Sequence, residues 1–247
     1  MFKSSWRIAE LFGIPIYLES TFALLLVFFV IDLPLELALI CVAVLAVSIV
    51  LHELGHSLTA RQFGYPTTGI TLSLLGGCAS LIALPRKAWQ EFLTAIAGPL
   101  VSFALSLGGY LALVFLPLPR LLAEVAYVLM VINLALGSFN LLPALPMDGG
   151  RIFRSALRLV VSRVRATFVA MWVGRACAVA LVVLPMLGIR HLGPIPIGGK
   201  LFFRVLIAWM IWNEGAREYR LALAEGDFGS WDQSDFDARV SPPPYAR

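Results

Sequence analysis

The sequence predicts an all-α polytopic membrane protein of about six transmembrane helices, with a membrane-associated β-hairpin between the second and third. Of 247 residues, 60% are hydrophobic and 14% charged, and mean hydropathy is +0.87, whereas a soluble domain carries about 25% charge. The apolar residues gather into long runs separated by turn or charge signals, and one hydrocarbon crossing needs about 20 of them. A chain of this length holds roughly six such helices and short connections, with no room for a large second domain.

Each element follows from a local signal. The amino-terminal stretch MFKSSWRIAELFGIPIYLES carries Glu10 and Glu19 ahead of the first apolar run, and no small-residue cleavage site follows that run. The first span is therefore expected to be retained, behind a cytoplasmic segment at 1–17. Apolar runs put the spans at about 18–31, 35–60, 90–116, 121–145, 166–188 and 200–213. The first and last are short, and Pro34, Pro143, Pro146 and Pro185 bound or interrupt others. Between the second and third, Thr67, Ile70, Thr71 and Leu72 lead into Gly76–Gly77 and a further apolar run, two β-prone segments around a Gly-Gly turn. That stretch is almost free of charge, so the hairpin is expected to dip toward the bilayer, buried in protein or lining a water-filled cavity. An ordinary surface hairpin is the plainer alternative. After Tyr219 the chain turns acidic and closes RVSPPPYAR. Residues 220–247 thus read as a flexible cytoplasmic tail behind a domain at 18–219.

With six spans, fourteen Lys and Arg residues fall on the side holding both termini and three, Arg120, Arg190 and Lys200, on the other. The positive-inside rule puts both termini in the cytoplasm, and the short loops suit a prokaryotic plasma membrane. A net charge of +4 distributed this way makes the lipid bilayer, and not nucleic acid, the expected partner. Arg175 and Arg204 fall inside predicted spans, either as functional or ion-pair groups or as structural residues reaching an interface. Cys41, Cys78 and Cys177 sit in apolar surroundings with no regular spacing. They read as small core residues, not as a disulfide framework or thiolate cluster.

The chemistry lies at the end of span two, VSIVLHELGHSLTARQFG. On a helix His52 and His56 share a face and can bind one metal ion, while Glu53 reaches a water at that ion. With 3 His and 9 Glu in the chain, a chance match has odds of about one in a thousand. A carboxylate inside a span also costs about 2.5 to 3.5 kcal/mol on insertion scales unless a metal or water cavity compensates. Zinc is the expected ion, because two imidazoles and one carboxylate leave its fourth position open. That set needs one more ligand. His191 sits in a Pro/Gly-rich loop on the far side, whereas Asp148 in FNLLPALPMDGGR falls at the depth of the histidines, where prolines and glycines break span four. A helix cap before Gly149 is the competing role for Asp148.

Taken together, HELGH at 52–56 and FNLLPALPMDGGR at 139–151 resemble the site-2 protease family of intramembrane zinc metalloproteases. Gly76–Gly77 and AGP at 97–99 lie between them in the family's order, and FGIPIYLESTF at 12–22 is similar too. The resemblance covers about residues 7–160, with a catalytic core at about 35–160. It implies that His52, His56 and Asp148 ligate one zinc ion per chain and that Glu53 is the general base. It further implies that Asn140 helps hold substrate backbone or the developing oxyanion; from the residues alone Asn140 serves equally as an interhelical hydrogen-bonding group. By the same likeness, Gly76 and Gly77 belong to a strand edge offered to an unwound substrate helix. Substrates are expected to be membrane-anchored proteins with a transmembrane helix, cleaved in regulated intramembrane proteolysis or in clearance of signal-peptide remnants. Neither a PDZ domain between the core spans nor a carboxy-terminal CBS domain is expected, since 116–121 and the stretch after Tyr219 are too short. The alternative is a non-proteolytic membrane metal-binding or transport protein. Transport, however, calls for more polar residues along a path across the bilayer than these spans contain.

Overall fold

A computed structural model describes residues 5–73, 76–81, 85, 87–189, 191–192, 195–196 and 201–228. In chain order its elements are β1 (Ser5–Leu11), β2 (Ile14–Glu19), α1 (Leu24–Asp32), α2 (Leu35–Gln62), β3 (Thr67–Ser73), β4 (Gly76–Leu81), α3 (Ala88–Phe115), α4 (Arg120–Asn140), α5 (Asp148–Leu157), α6 (Arg163–Met186), β5 (His191–Leu192), β6 (Ile195–Pro196) and α7 (Leu201–Phe228). Among the described residues, α2, α3, α4 and α6 are long and apolar enough to cross a membrane.

The other expected spans take different forms. Residues 18–31 give a 3-10 turn, Ser20–Ala23, and the nine-residue α1. Pro34 ends that helix by holding Leu33 extended, at φ −129° and ψ 151°. Span four stops at Asn140, because Pro143 and Pro146 keep 141–147 out of a helix, and α5 restarts at Asp148. The run at 200–213 is only the first half of α7, which continues through Glu214, Arg217 and Glu218 past Tyr219 to Phe228. The tail expected from 220 therefore begins inside a helix.

A four-stranded sheet in the order β1-β2-β3-β4 corrects the all-α expectation. β1 and β2 occupy the amino-terminal segment and close through a two-residue loop, Phe12 at φ 54° and Gly13 at φ 79°. Two left-handed residues there form the tight turn whose twist suits a hairpin; Phe-Gly announces it far less clearly than Asn-Gly would. β2 pairs in parallel with β3, Ile16 opposite Ile70 and Leu18 opposite Leu72, after the crossover through α1 and α2. β3 and β4 are antiparallel, with Ser73 opposite Gly76 and Leu72 opposite Gly77. Gly76 and Gly77 thus open β4 and do not form the turn; residues 74–75 lie outside the described residues.

The sheet positions the centre of the molecule. Ile14 and Ile70 pack on Leu54 of α2, and Leu72 packs with Phe22 on Ile49 one turn earlier. The inner face of β2 and β3 therefore covers the stretch of α2 that contains His52. Of the cysteines, Cys41 is buried and Cys177 half-buried, both free; the surroundings of the Cys78 side chain lie outside the described residues.

Candidate metal centre

The centre is assembled from α2, α3 and the first residue of α5. On α2, His52 and His56 meet edge to face with ring centroids 4.8 Å apart, as residues four apart on a helix should. Gly55 between them lets α3 approach: a Cβ there would lie 2.9 Å from the Ala97 carbonyl oxygen. On α3 the facing residue is Gly98. A Cβ at Gly98 would come within 2.7 Å of His52 Nε2 and closer still to His56 Nε2, so only glycine leaves the two rings their space.

Asp148 arrives from the other side. After α4 ends, residues 141–147 fold back tightly onto the start of α5. A Cβ at Gly150 would lie 2.5 Å from the Leu145 nitrogen, and Gly149 runs as close to Leu141 and Leu142. Behind the turn, Ala144 and Met147 pack with Ala178 of α6 and Ile211 of α7 in one buried cluster. The α6–α7 pair thereby seats the carboxylate.

Three donor atoms converge on one point. Asp148 Oδ2 lies 3.0 Å from His52 Nε2 and 3.2 Å from His56 Nε2, and the two Nε2 atoms are 3.2 Å apart. His56 Nδ1–H donates to the Thr94 carbonyl at 2.7 Å. A carbonyl only accepts, so the lone pair of His56 is left on Nε2. His52 Nδ1 lies 2.9 Å from Ser102 Oγ; donation to that oxygen leaves the His52 lone pair aimed at the same point. Two imidazole nitrogens and a carboxylate oxygen, in residues at most 7% exposed, stand this close only with a proton or a metal cation among them. The spacing fits zinc, since bonds of about 2.0–2.1 Å in a tetrahedron separate ligand atoms by about 3.3 Å. The Thr94 carbonyl and the Ser102 hydroxyl are the outer partners that set tautomer and aim.

Of the residues singled out from sequence, the structure brings His52, His56 and Asp148 together. Glu53 lies beneath β4, where a Cβ on Gly77 would stand 2.8 Å from Glu53 Cγ and 3.1 Å from its Oε1. Gly76 pairs with Ser73 one residue before. Asn140, the last residue of α4, donates from Nδ2 to the Leu136 carbonyl of its own helix at 3.0 Å, not to the triad. His191 opens β5. The Arg175 guanidinium lies between Trp172 and Trp212, 4.8 and 4.6 Å from their ring centroids, a cation–π clamp joining α6 to α7. Arg204 Nε and Nη1 have no hydrogen-bond partner among the described residues.

Thr94, Gly98 and Ser102 do not stand out in the sequence as one group. They recur every fourth residue on one face of α3, and the small residues of AGP at 97–99 are their only local signal.

A sequence model of Peptidase family M50 matches residues 40–125 and 119–184. The chain is 34% identical over 244 residues to a putative zinc metalloprotease of Synechocystis sp., a match covering 93% of this chain and 63% of that protein. It is 38% identical over 190 residues to a zinc metalloprotease of Methanocaldococcus jannaschii, over 75% of this chain and 55% of that one. The chain thus spans less than two thirds of the length of these relatives. Its fold is similar to that of a solved site-2 protease from Methanocaldococcus jannaschii, with a TM-score of 0.63 and 31% identity over 87% of this chain and 95% of the other. One matched segment carries the α2 histidines and the second carries Asp148, so both halves of the centre fall within the match, and the chain belongs to peptidase family M50.

Proposed function

We propose that this chain is an intramembrane zinc metalloprotease that hydrolyses peptide bonds in or near the transmembrane segments of membrane-anchored proteins. The observation that carries this reading is the convergence of His52 Nε2, His56 Nε2 and Asp148 Oδ2, one residue along the chain from Glu53. Zinc held by those three residues supplies Lewis-acid polarisation of the scissile carbonyl and of the attacking water. Glu53 takes a proton from that water and delivers it to the leaving amide nitrogen. A helical substrate has its carbonyls occupied, so it unwinds first. β4 is the edge strand of the sheet, and pairing with it holds the unwound segment extended. Gly76 and Gly77 keep that edge clear for close approach to Glu53, and Asn140 holds substrate backbone or the developing oxyanion.

The accompanying topology has six crossings, α1 with its preceding turn, α2, α3, α4, α6 and α7. Both termini lie in the cytoplasm of a prokaryotic cell, and the β3–β4 hairpin dips toward the bilayer. Outward-facing Val47, Leu100, Leu107, Val114, Val179 and Trp209 support contact with lipid along these helices. Residues 18–219 are the protease domain in this reading, with 1–17 and 220–247 on the cytoplasmic side.

Cleavage of a purified transmembrane-helix substrate in detergent tests the assignment. Wild type is expected to cleave, and Glu53→Gln to retain zinc while cleaving about 10²- to 10⁴-fold more slowly. Cleavage by Glu53→Gln at the wild-type rate would overturn it.

A further inference from the structure

Six residues beyond Asp148 on α5, Arg154 is only 1% exposed. Its Nε and Nη2 donate to Glu91 Oε1 on α3 at 3.0 and 2.5 Å, and its Nη1 donates to Glu218 Oε2 on α7 at 2.6 Å. Arg158, the residue that caps the carboxy-terminal end of α5, donates from Nη1 to Glu91 Oε2 at 2.5 Å. Glu91 is as buried as the catalytic histidines, and it precedes Thr94 by three residues, one turn of α3. One guanidinium therefore joins the helix that carries Asp148 to the helix that carries both outer partners of His52 and His56.

Stability alone does not explain such a cluster. Replacing a buried ion pair with apolar groups of similar volume is often neutral or stabilising, so the charges need another reason to be there. A forked guanidinium fixes direction as well as distance. Direction matters because α5 has only ten residues. A roll of about 20° displaces a group standing about 5–6 Å from the helix axis by roughly 2 Å, far beyond the roughly 0.2 Å tolerance of a metal–ligand bond.

We propose that Arg154 is a positioning residue for the metal centre: held by Glu91 and Glu218, it sets the roll of α5 and with it the place of the Asp148 carboxylate. This rests on the metal-centre reading above. It also makes α7, through Glu218, part of the support of the centre.

The full chain in detergent is compared with Glu91→Gln/Arg154→Met, which removes one charge of each sign, and with Arg154→Lys, which keeps the charge and loses the fork. The readouts are zinc Kd by competition with a chromophoric chelator, the visible spectrum of the cobalt(II)-loaded protein, and the melting temperature of the metal-free protein. The double variant is expected to melt with the parent, to bind zinc at least about tenfold more weakly and to show an altered cobalt spectrum. Arg154→Lys is expected to weaken zinc in the same direction. Should the double variant not fold, Arg154→Lys decides by the same readouts. Parent-like zinc Kd and cobalt spectrum in the folded variants would overturn the proposal alone. A parent that binds no zinc would overturn the metal-centre reading and the proposal with it.

Discussion

At Gly98 one added methyl group would lie 2.7 Å from His52 Nε2 and nearer still to His56 Nε2, so Gly98→Ala is expected to abolish zinc binding without touching a ligand. Elemental analysis of the purified variant checks this; a full equivalent of zinc would contradict it. Gly77 makes the complementary case. Its Cβ would meet Ile49 Cγ2 at 2.5 Å and Glu53 Cγ at 2.8 Å, which moves the carboxylate and not the imidazoles. Gly77→Ala is expected to keep its zinc while kcat falls roughly 10²-fold, the scale of a 1 Å misplacement. Ser102→Ala removes the group that faces His52 Nδ1 at 2.9 Å, and zinc Kd is expected to rise about tenfold. An unchanged Kd would mean that ring packing alone aims His52.

At the scale of elements, α2 and α3 touch through Gly55 and the Ala97 carbonyl. Gly55→Leu is therefore expected to destabilise the fold by at least about 1–3 kcal/mol, the usual cost of overpacking, as a lowered melting temperature in detergent. His52 and His56 were legible because both sit on one helix at a spacing set by its pitch. Asp148 was legible because prolines and glycines mark the break that seats it. The contribution of α3 was not, since what it offers is a carbonyl and a hydroxyl that accept from the histidine rings and the absence of a side chain at Gly98, none of which stands out in an apolar run. The strands at Ser5–Leu11 and Ile14–Glu19 are not legible in the sequence, because a Phe-Gly loop is a weak turn signal and a fully exposed β1 lacks the alternation that announces a half-buried strand.

Over the whole molecule, each helix near the centre has a distinct task. α2 supplies the two imidazoles, α3 aims them, and α5 supplies the carboxylate. Behind α5 stands the α6–α7 pair, joined by the Arg175 clamp and packed through Ala178 and Ile211 against the turn before Asp148. The sheet, in which the amino-terminal strands pair with the β3–β4 hairpin, lies over the same part of α2 and brings Gly77 against Glu53. Everything rests on three ligands from two distant stretches of chain meeting at one ion. The most direct measurement is zinc per chain, by elemental mass spectrometry, in detergent-purified wild type beside His56→Ala and Asp148→Ala. One zinc in wild type, lost in both variants, is expected. A full equivalent of zinc retained in Asp148→Ala would contradict the three-ligand centre.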